Sequence, residues 1–281
     1  MIGTILCWAG IEILGSLVYL GGGSPATLLQ IRFAFASFLF FLTILLNKKL
    51  SFKIARKDWK SLGVMSLLLA AHLFFFWVGL KKIVSIVAML GIYFTYPSLM
   101  AVTSSLLLKE KFTKARKVSL LLGTLGMLFT IGFLPKLKFG VVGGTGVIYL
   151  FLAVATWIGY LLISQKEAKK YSPPVMLFYN FLISTLLFLL LQSPIKTLSE
   201  LSPAVFKYLL ALGVFSTYLA YLFLQKAIKY LGATSLGIIH LSKTTFSIIL
   251  AYLVLHQSAT PFQLLGIALV LSSILVLSKD A

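Results

Sequence analysis

The chain has 281 residues, 60% of them hydrophobic and 11% charged, with 25 Lys and Arg against six Asp and Glu and a mean hydropathy of +1.03. In water such a chain would expose more apolar surface than its few polar groups can cover, which excludes a soluble globular protein and makes the bilayer its solvent. The formal charge of +19 invites a nucleic-acid reading, but positive-inside loops with scarce acids produce the same balance, so no nucleic-acid partner is expected.

Ten apolar stretches, each about long enough to cross a hydrocarbon core of ~30 Å, are predicted at approximately 1–20, 26–47, 58–80, 83–108, 116–134, 143–166, 173–192, 203–226, 231–256 and 260–278. They are divided at Gly21-Gly22-Gly23-Ser24-Pro25, the Lys/Arg clusters, Pro135, Ser172-Pro173-Pro174, Ser202-Pro203 and Pro261. Backbone polar groups in lipid must be satisfied within their own segment, so each stretch should be a helix, and the expected fold is an all-α integral membrane protein of ten transmembrane helices. The first stretch lacks the charged start of a signal peptide and holds Glu12, so it is expected to be a retained helix. Cys7 is the sole cysteine, so no intramolecular disulfide can form.

Ten spans place both termini on one side. The even-numbered connections and the C-terminus then hold seventeen Lys and Arg, from Lys48 to Lys279, while the other side holds seven, so both termini are expected in the cytoplasm. A weak repeat at a spacing of about 147 to 149 residues divides the chain into two five-span halves, 1–134 and 135–281. Trp8 answers to Trp157, Ser24-Pro25 to Pro173-Pro174, and Lys109 to Lys114 answers to His256 to Pro261. Because five is odd, the halves should enter the membrane in opposite directions, as two inverted repeats.

The Trp8 segment, Ser24-Pro25-Ala26-Thr27 followed by Ile31-Arg32-Phe33, Pro97 thirteen residues before Glu110, Tyr230-Leu231-Gly232-Ala233-Thr234 and Thr260-Pro261-Phe262-Gln263-Leu264-Leu265-Gly266 together resemble the EamA family of the drug/metabolite transporter superfamily. The resemblance runs over both halves. It implies a ten-helix carrier with a central cavity working by alternating access, most often an exporter of small metabolites, and it does not name the substrate. Two departures stand out: Thr244 where the family usually has proline, and Gln257 where it usually has glutamate. Pro97 would remove a backbone hydrogen bond and kink its span, so no symmetric hinge is expected at Thr244.

Glu12, Arg32, His72, His240 and Lys243 fall within apolar spans, where an ionisable side chain costs roughly 2.5 to 3.5 kcal/mol on insertion scales and so normally faces protein or water. At ~1.5 Å per residue, Glu12, Lys243 and His72 come to about 17, 18 and 20 Å from the inner face, and Arg32 to a comparable level. Glu12 and Lys243 are the leading candidates to contact the substrate, one binding or exchanging a proton and the other drawing a carboxylate or similar anion. A structural ion pair competes with that reading, with Arg32 as an alternative partner of Glu12 across the first hairpin. His72 and His240 are candidate proton carriers or packing residues. Trp8, Tyr93 and Trp157 are candidates to stack on a planar or apolar substrate, against a background in which most aromatic rings are packing. Pro97 and Glu110 are assigned structural roles, and Gly123, Gly126, Gly143, Gly144 and Gly146 are expected to let helices approach around spans five and six.

No Walker-type phosphate loop occurs, so ion coupling, protons included, or facilitated diffusion would drive transport. The expected partners are a small-molecule substrate such as an amino acid, protons and membrane lipids. No metal or cofactor is expected, and the oligomeric state is left open. The alternatives are a membrane-embedded enzyme, disfavoured by scattered histidines without H-E-x-x-H, and a non-transporting scaffold, which would leave the midplane charges unexplained.

Overall fold

The computed structural model describes residues 2–82, 96, 99–100, 103, 106, 113–131, 144–199, 201–240, 243 and 261–278. Among the described residues all regular structure is helical: α1 (Ile2–Ala9), α2 (Ile11–Leu20), α3 (Pro25–Leu46), a single 3₁₀ turn (Arg56–Asp58), α4 (Trp59–Lys82), α5 (Lys114–Ile131), α6 (Gly144–Glu167), α7 (Pro173–Leu191), α8 (Pro194–Ser199), α9 (Pro203–Ala211), a π-helical segment (Leu212–Leu219), α10 (Ala220–His240) and α11 (Pro261–Ser278). Among the described residues five continuous helical stretches are long and apolar enough to cross a membrane: Pro25–Leu46, Arg56–Lys82, Thr145–Glu167, Pro173–Leu191 and Pro203–Leu231.

The Ser-Pro pairs start helices for a physical reason. Proline at the first position gives up an N–H that has no intrahelical partner, and the preceding serine can cap another. Ser24 accepts from the Thr27 N–H at 3.1 Å and Ser202 from the Val205 N–H at 3.2 Å. Before Ser24 the chain turns through Gly22 at φ +91°, a conformation that favours glycine. Two boundaries differ from expectation. The first stretch is divided at Gly10 into α1 and α2, and α10 runs without interruption from Ala220 to His240, through the predicted break at 227–230. No proline lies in that stretch, and Lys226 and Lys229 are good helix formers, so their charge marks no interruption of the backbone.

The described chain forms two compact units, each drawing on both halves of the sequence. In the first, residues 2–74 and 159–229, α3 and α7 run antiparallel: the beginning of α3 meets the residue that follows α7, and Phe41 near the end of α3 lies 6.0 Å from Phe178 near the beginning of α7. Leu29, Phe33, Ala36 and Phe40 form the buried seam of α3, and Leu177, Phe181, Ser184 and Phe188 that of α7, both at a 4-3-4 spacing that keeps one helical face toward the partner. Phe33 lies 5.2 Å from Phe181 and 5.8 Å from Phe188, and Phe40 lies 5.9 Å from Phe181 with parallel planes. Lipid tails are as apolar as these side chains, so shape fit and ring contacts, rather than escape from water, hold the pair.

Polar groups fasten both ends of this seam. At one end the Gln192 Nε2 donates to Thr27 Oγ1 (2.6 Å) and Thr197 Oγ1 (2.9 Å), Gln30 Nε2 donates to the Gln192 carbonyl (3.1 Å), and Thr197 donates to Gln30 Oε1. At the other, Asp58 receives Lys170 Nζ at 2.7 Å on one carboxylate oxygen and the Tyr171 hydroxyl at 2.8 Å on the other. Tyr171 in turn accepts from the Ala55 N–H at 3.1 Å, and the buried Glu167 receives Ser61 Oγ at 2.9 Å and Lys170 Nζ at 3.2 Å. Deeper in, the Gln225 amide joins α10 to α6, donating to the Tyr160 hydroxyl (2.7 Å) and accepting from Ser164 (2.8 Å). Asn180 on α7 is fully buried and its side chain interacts with the Tyr160 hydroxyl.

In the second unit, residues 75–158 and 230–281, α5 packs on α11, also antiparallel, since Phe129 near the end of α5 stacks on Phe262 at the start of α11 (6.3 Å). The buried seam is made of small residues, Ser119, Gly123 and Gly126 facing Gly266, Val270 and Ser273. A Cβ at Gly126 would fall 2.7 Å from the Gly266 carbonyl oxygen and 2.8 Å from the Val270 nitrogen, both backbone atoms that cannot step aside. The close approach expected around Gly126 is made to α11.

Three outcomes follow from this packing. Gly126→Ala should cost about 1–3 kcal/mol by forcing α5 off α11, read as a lower melting temperature in detergent. Gln225→Leu should destabilise by about 1–2 kcal/mol because it strands Tyr160 and Ser164, read as a lower melting temperature in the same assay; an unchanged melting temperature would refute this account. The Asp58 carboxylate raises the pKa of Lys170, and burial raises that of Tyr171. Both groups therefore stabilise the fold fully below their ordinary values of 10.5 and 10.0 and lose that contribution as pH rises through the higher folded values. The melting-temperature advantage of the wild type over Lys170→Met should thus hold at pH 9 and vanish at strongly alkaline pH.

Candidate functional site

The ionisable and aromatic candidates fall into two groups, one in each unit. In the first unit the π-helical segment is the organising feature. Its wider turns bond five residues back, as the Ala220 N–H does to the Phe215 carbonyl, and such turns occur often at functional sites. The Ser216 carbonyl receives the Trp8 indole N–H at 2.8 Å and the Arg32 Nη2 at 3.4 Å. Thr217 Oγ1 accepts from Arg32 Nε at 2.8 Å while donating to the Leu212 carbonyl, also five residues back, at 2.9 Å. The Ser216 hydroxyl donates to the Cys7 carbonyl at 3.0 Å. Trp8 and Arg32, 24 positions apart in sequence, thus converge on one carbonyl of the second half of the chain.

Arg32 is 0% exposed, so its guanidinium lies wholly within this apolar unit, where directed hydrogen bonds must stand in for hydration. The Trp8 ring meets Tyr221 edge-on at 5.4 Å, and Tyr221 meets Phe181 of the α7 seam at 5.2 Å, which ties the polar centre to the helix pairing. His72 is buried on α4 in the same unit. Glu12 belongs to α2, but its side chain lies outside the described residues.

In the second unit, His240 at the end of α10 shares a hydrogen bond through Nδ1 with the buried Tyr96 hydroxyl, and the two rings meet edge-on at 5.5 Å. Three residues on, Lys243 is helical and 5% exposed. Trp157 on α6 is also buried in this unit. Tyr93, Pro97, Glu110, Thr244, His256 and Gln257 lie outside the described residues. Among the described residues no group of three or more His, Cys, Asp or Glu is placed to hold a metal ion.

Sequence reasoning singled out the ionisable and aromatic members of these groups and missed the neutral ones. Ser216 and Thr217 matter because a π turn presents them to Arg32 and Trp8, and a polar pair in an apolar span does not announce such a turn. Tyr96 carried a weak signal as one of the two tyrosines in the fourth stretch.

No curated protein matches the sequence. Twenty-nine chains of solved structures do match. One, titled only "Crystal structure of protein", superposes with a TM-score of 0.80 over 100% of this chain and 95% of its own at 19% identity, a likeness of fold. The family model of the EamA-like transporter family matches twice, over residues 1–132 and 144–279. With nearly the whole sequence matched in two successive copies, the chain belongs to the EamA-like transporter family and is a multi-pass membrane protein of the transporter class.

Proposed function

We propose that the protein is a secondary carrier of a small organic metabolite, of which an amino acid is the leading class, exporting it across the cytoplasmic membrane by alternating access. In this reading the chain is two inverted five-helix repeats, 1–134 and 135–281, with both termini in the cytoplasm, and the helix that runs through 227–230 moves the reversal between the eighth and ninth crossings away from the connection expected there. The observation that carries the functional reading is the burial of Arg32 in one unit and of His240 and Lys243 in the other, since ionisable groups buried in apolar helices of a transporter mark substrate or ion pathways.

The inverted topology has its own support. Leu29, Phe33, Ala36 and Phe40 stand 148 positions before Leu177, Phe181, Ser184 and Phe188, and Ser119, Gly123 and Gly126 stand 147 before Gly266, Val270 and Ser273. Repeat-equivalent helices thus pair with each other, and they pair antiparallel, which inverted copies require and copies inserted in the same sense would not give. Crossing parity agrees. Asp58 and Lys170 touch, which requires an even number of crossings between them, and the reading supplies four; Thr27 and Gln192 touch, and the reading supplies six.

In this mechanism Lys243 draws the anionic group of the substrate, Glu12 binds or exchanges a proton, and the Tyr96–His240 pair carries a proton or donates to the substrate. Trp8, Tyr93 and Trp157 contribute ring surface. Reconstituted into liposomes and supplied with a panel of amino acids, nucleobases, sugars and cationic drugs, the wild type should show saturable, competitor-sensitive flux of one class. Lys243→Met should reduce that flux at least tenfold with its melting temperature nearly unchanged; undiminished flux would remove Lys243 from the site, and absence of saturable flux from folded wild type across the panel would count against the carrier reading.

A further inference from the structure

The Asp58–Lys170–Tyr171 clasp does more than fasten a helix pair, because it joins the two most basic described connections of the first unit into one surface. Residues 47–60 carry Lys48, Lys49, Lys53, Arg56, Lys57 and Lys60, all exposed, and residues 166–171 add the exposed Lys166, Lys169 and Lys170. Against these nine cations stand two carboxylates, and both are turned inward. Asp58 spends its oxygens on Lys170 and Tyr171, and Glu167, 2% exposed, bonds Ser61 and the same Lys170. Among the described residues Lys170 alone forms salt bridges with these carboxylates, and Lys57 adds a longer-range attraction to Asp58, so eight exposed cations stay outside the salt bridges and the two segments keep a large positive excess.

The platform under these cations is fixed. The Tyr179 hydroxyl donates to the Phe52 carbonyl at 2.7 Å, and the Phe52 ring lies 5.6 Å from Phe41 and 5.5 Å from Phe178. Local turns close at Leu50 onto the Asn47 carbonyl (2.8 Å) and at Asp58 onto the Ala55 carbonyl (2.9 Å). Trp59, 41% exposed, packs edge-on against Tyr179 at 5.0 Å, in the manner of ring side chains at a headgroup boundary. A fixed base spares the cost of ordering the backbone of these connections when their cations meet a negative partner.

We propose that this surface is a docking site for anionic phospholipid headgroups of the membrane in which the protein sits. The partner follows from position and charge: the cations flank the ends of α3, α4, α6 and α7, where the headgroup layer lies, and clustered Lys and Arg at that level attract anionic lipid. Bound lipid would steady the clasp from outside, since it screens the mutual repulsion of the eight cations.

The test uses the full chain in phosphatidylcholine nanodiscs with and without a minor fraction of phosphatidylglycerol, read by melting temperature at low and high salt. Phosphatidylglycerol should raise the melting temperature by several degrees, and high salt should erase most of the gain. Replacing Lys48, Lys49, Lys53 and Lys57 with Gln should abolish the gain while leaving the melting temperature in pure phosphatidylcholine at or above that of the wild type. A matched variant with Lys81, Lys82, Lys196 and Lys207 changed to Gln should keep it. The proposal fails if both variants lose the gain equally, if the first keeps it, or if inorganic phosphate alone reproduces it.

Discussion

The antiparallel pairing of repeat-equivalent helices is the constraint on which the rest of the structure depends. A helix that packs against its own counterpart uses one surface twice, so each contact has a mate. Phe33 against Phe188 and Phe40 against Phe181 are such mates, at 5.8 and 5.9 Å, and Phe33 against Phe181 joins the two equivalent positions directly. This is the isologous pattern of a two-fold dimer, realised within a single chain. It needs a seam that fits itself, met in α3 and α7 by rings around Ala36 and Ser184 and in α5 and α11 by glycine and serine. It also explains why each compact unit mixes the two halves of the sequence: a unit built on such a pair must take one helix from each.

The polar fastenings follow from that pairing. In an antiparallel pair the start of one helix lies beside the end of the other, so the Ser24 cap region meets Gln192 and the connection after α3 meets the one before α7. These ends carry the loose backbone groups and the charges, and each is closed by side chains of opposite halves. The deep Gln225 link to Tyr160 and Ser164 holds α6 to α10 within the second half, where lipid offers no partner for an amide.

Much of this was legible in the sequence where one residue type dictates one outcome. The Ser-Pro starts of α3, α7 and α9 were readable because proline tolerates few other places in a helix, and the buried cations were readable because lipid tolerates them nowhere without a partner. The uninterrupted α10 was misjudged at Lys226 and Lys229, since charge suggests a connection whereas only backbone chemistry ends a helix. The meeting of Arg32 with Thr217 was not readable, because it spans 185 positions and depends on a π turn that no local pattern signals. Asp58 gave no signal in the sequence yet is the hub of a clasp; its importance comes from Tyr171 and Lys170, more than a hundred residues away.

The two halves match in packing yet differ in charge, and the difference falls at one informative place. Arg32 and Asn180 stand 148 positions apart, each immediately before a seam phenylalanine and each fully buried in the same unit. Two-fold packing alone would accept the same residue at both. The first half instead carries a permanent cation fastened to the π segment, while the second carries a neutral amide beside Tyr160. Burying a guanidinium costs far more than burying an amide, so a sequence shaped only to hold α3 against α7 gains nothing from Arg32 that a neutral residue would not give more cheaply. The symmetric residues accordingly account for the scaffold, and Arg32, with Trp8 and the π turn that accepts from both, marks where the scaffold departs from symmetry.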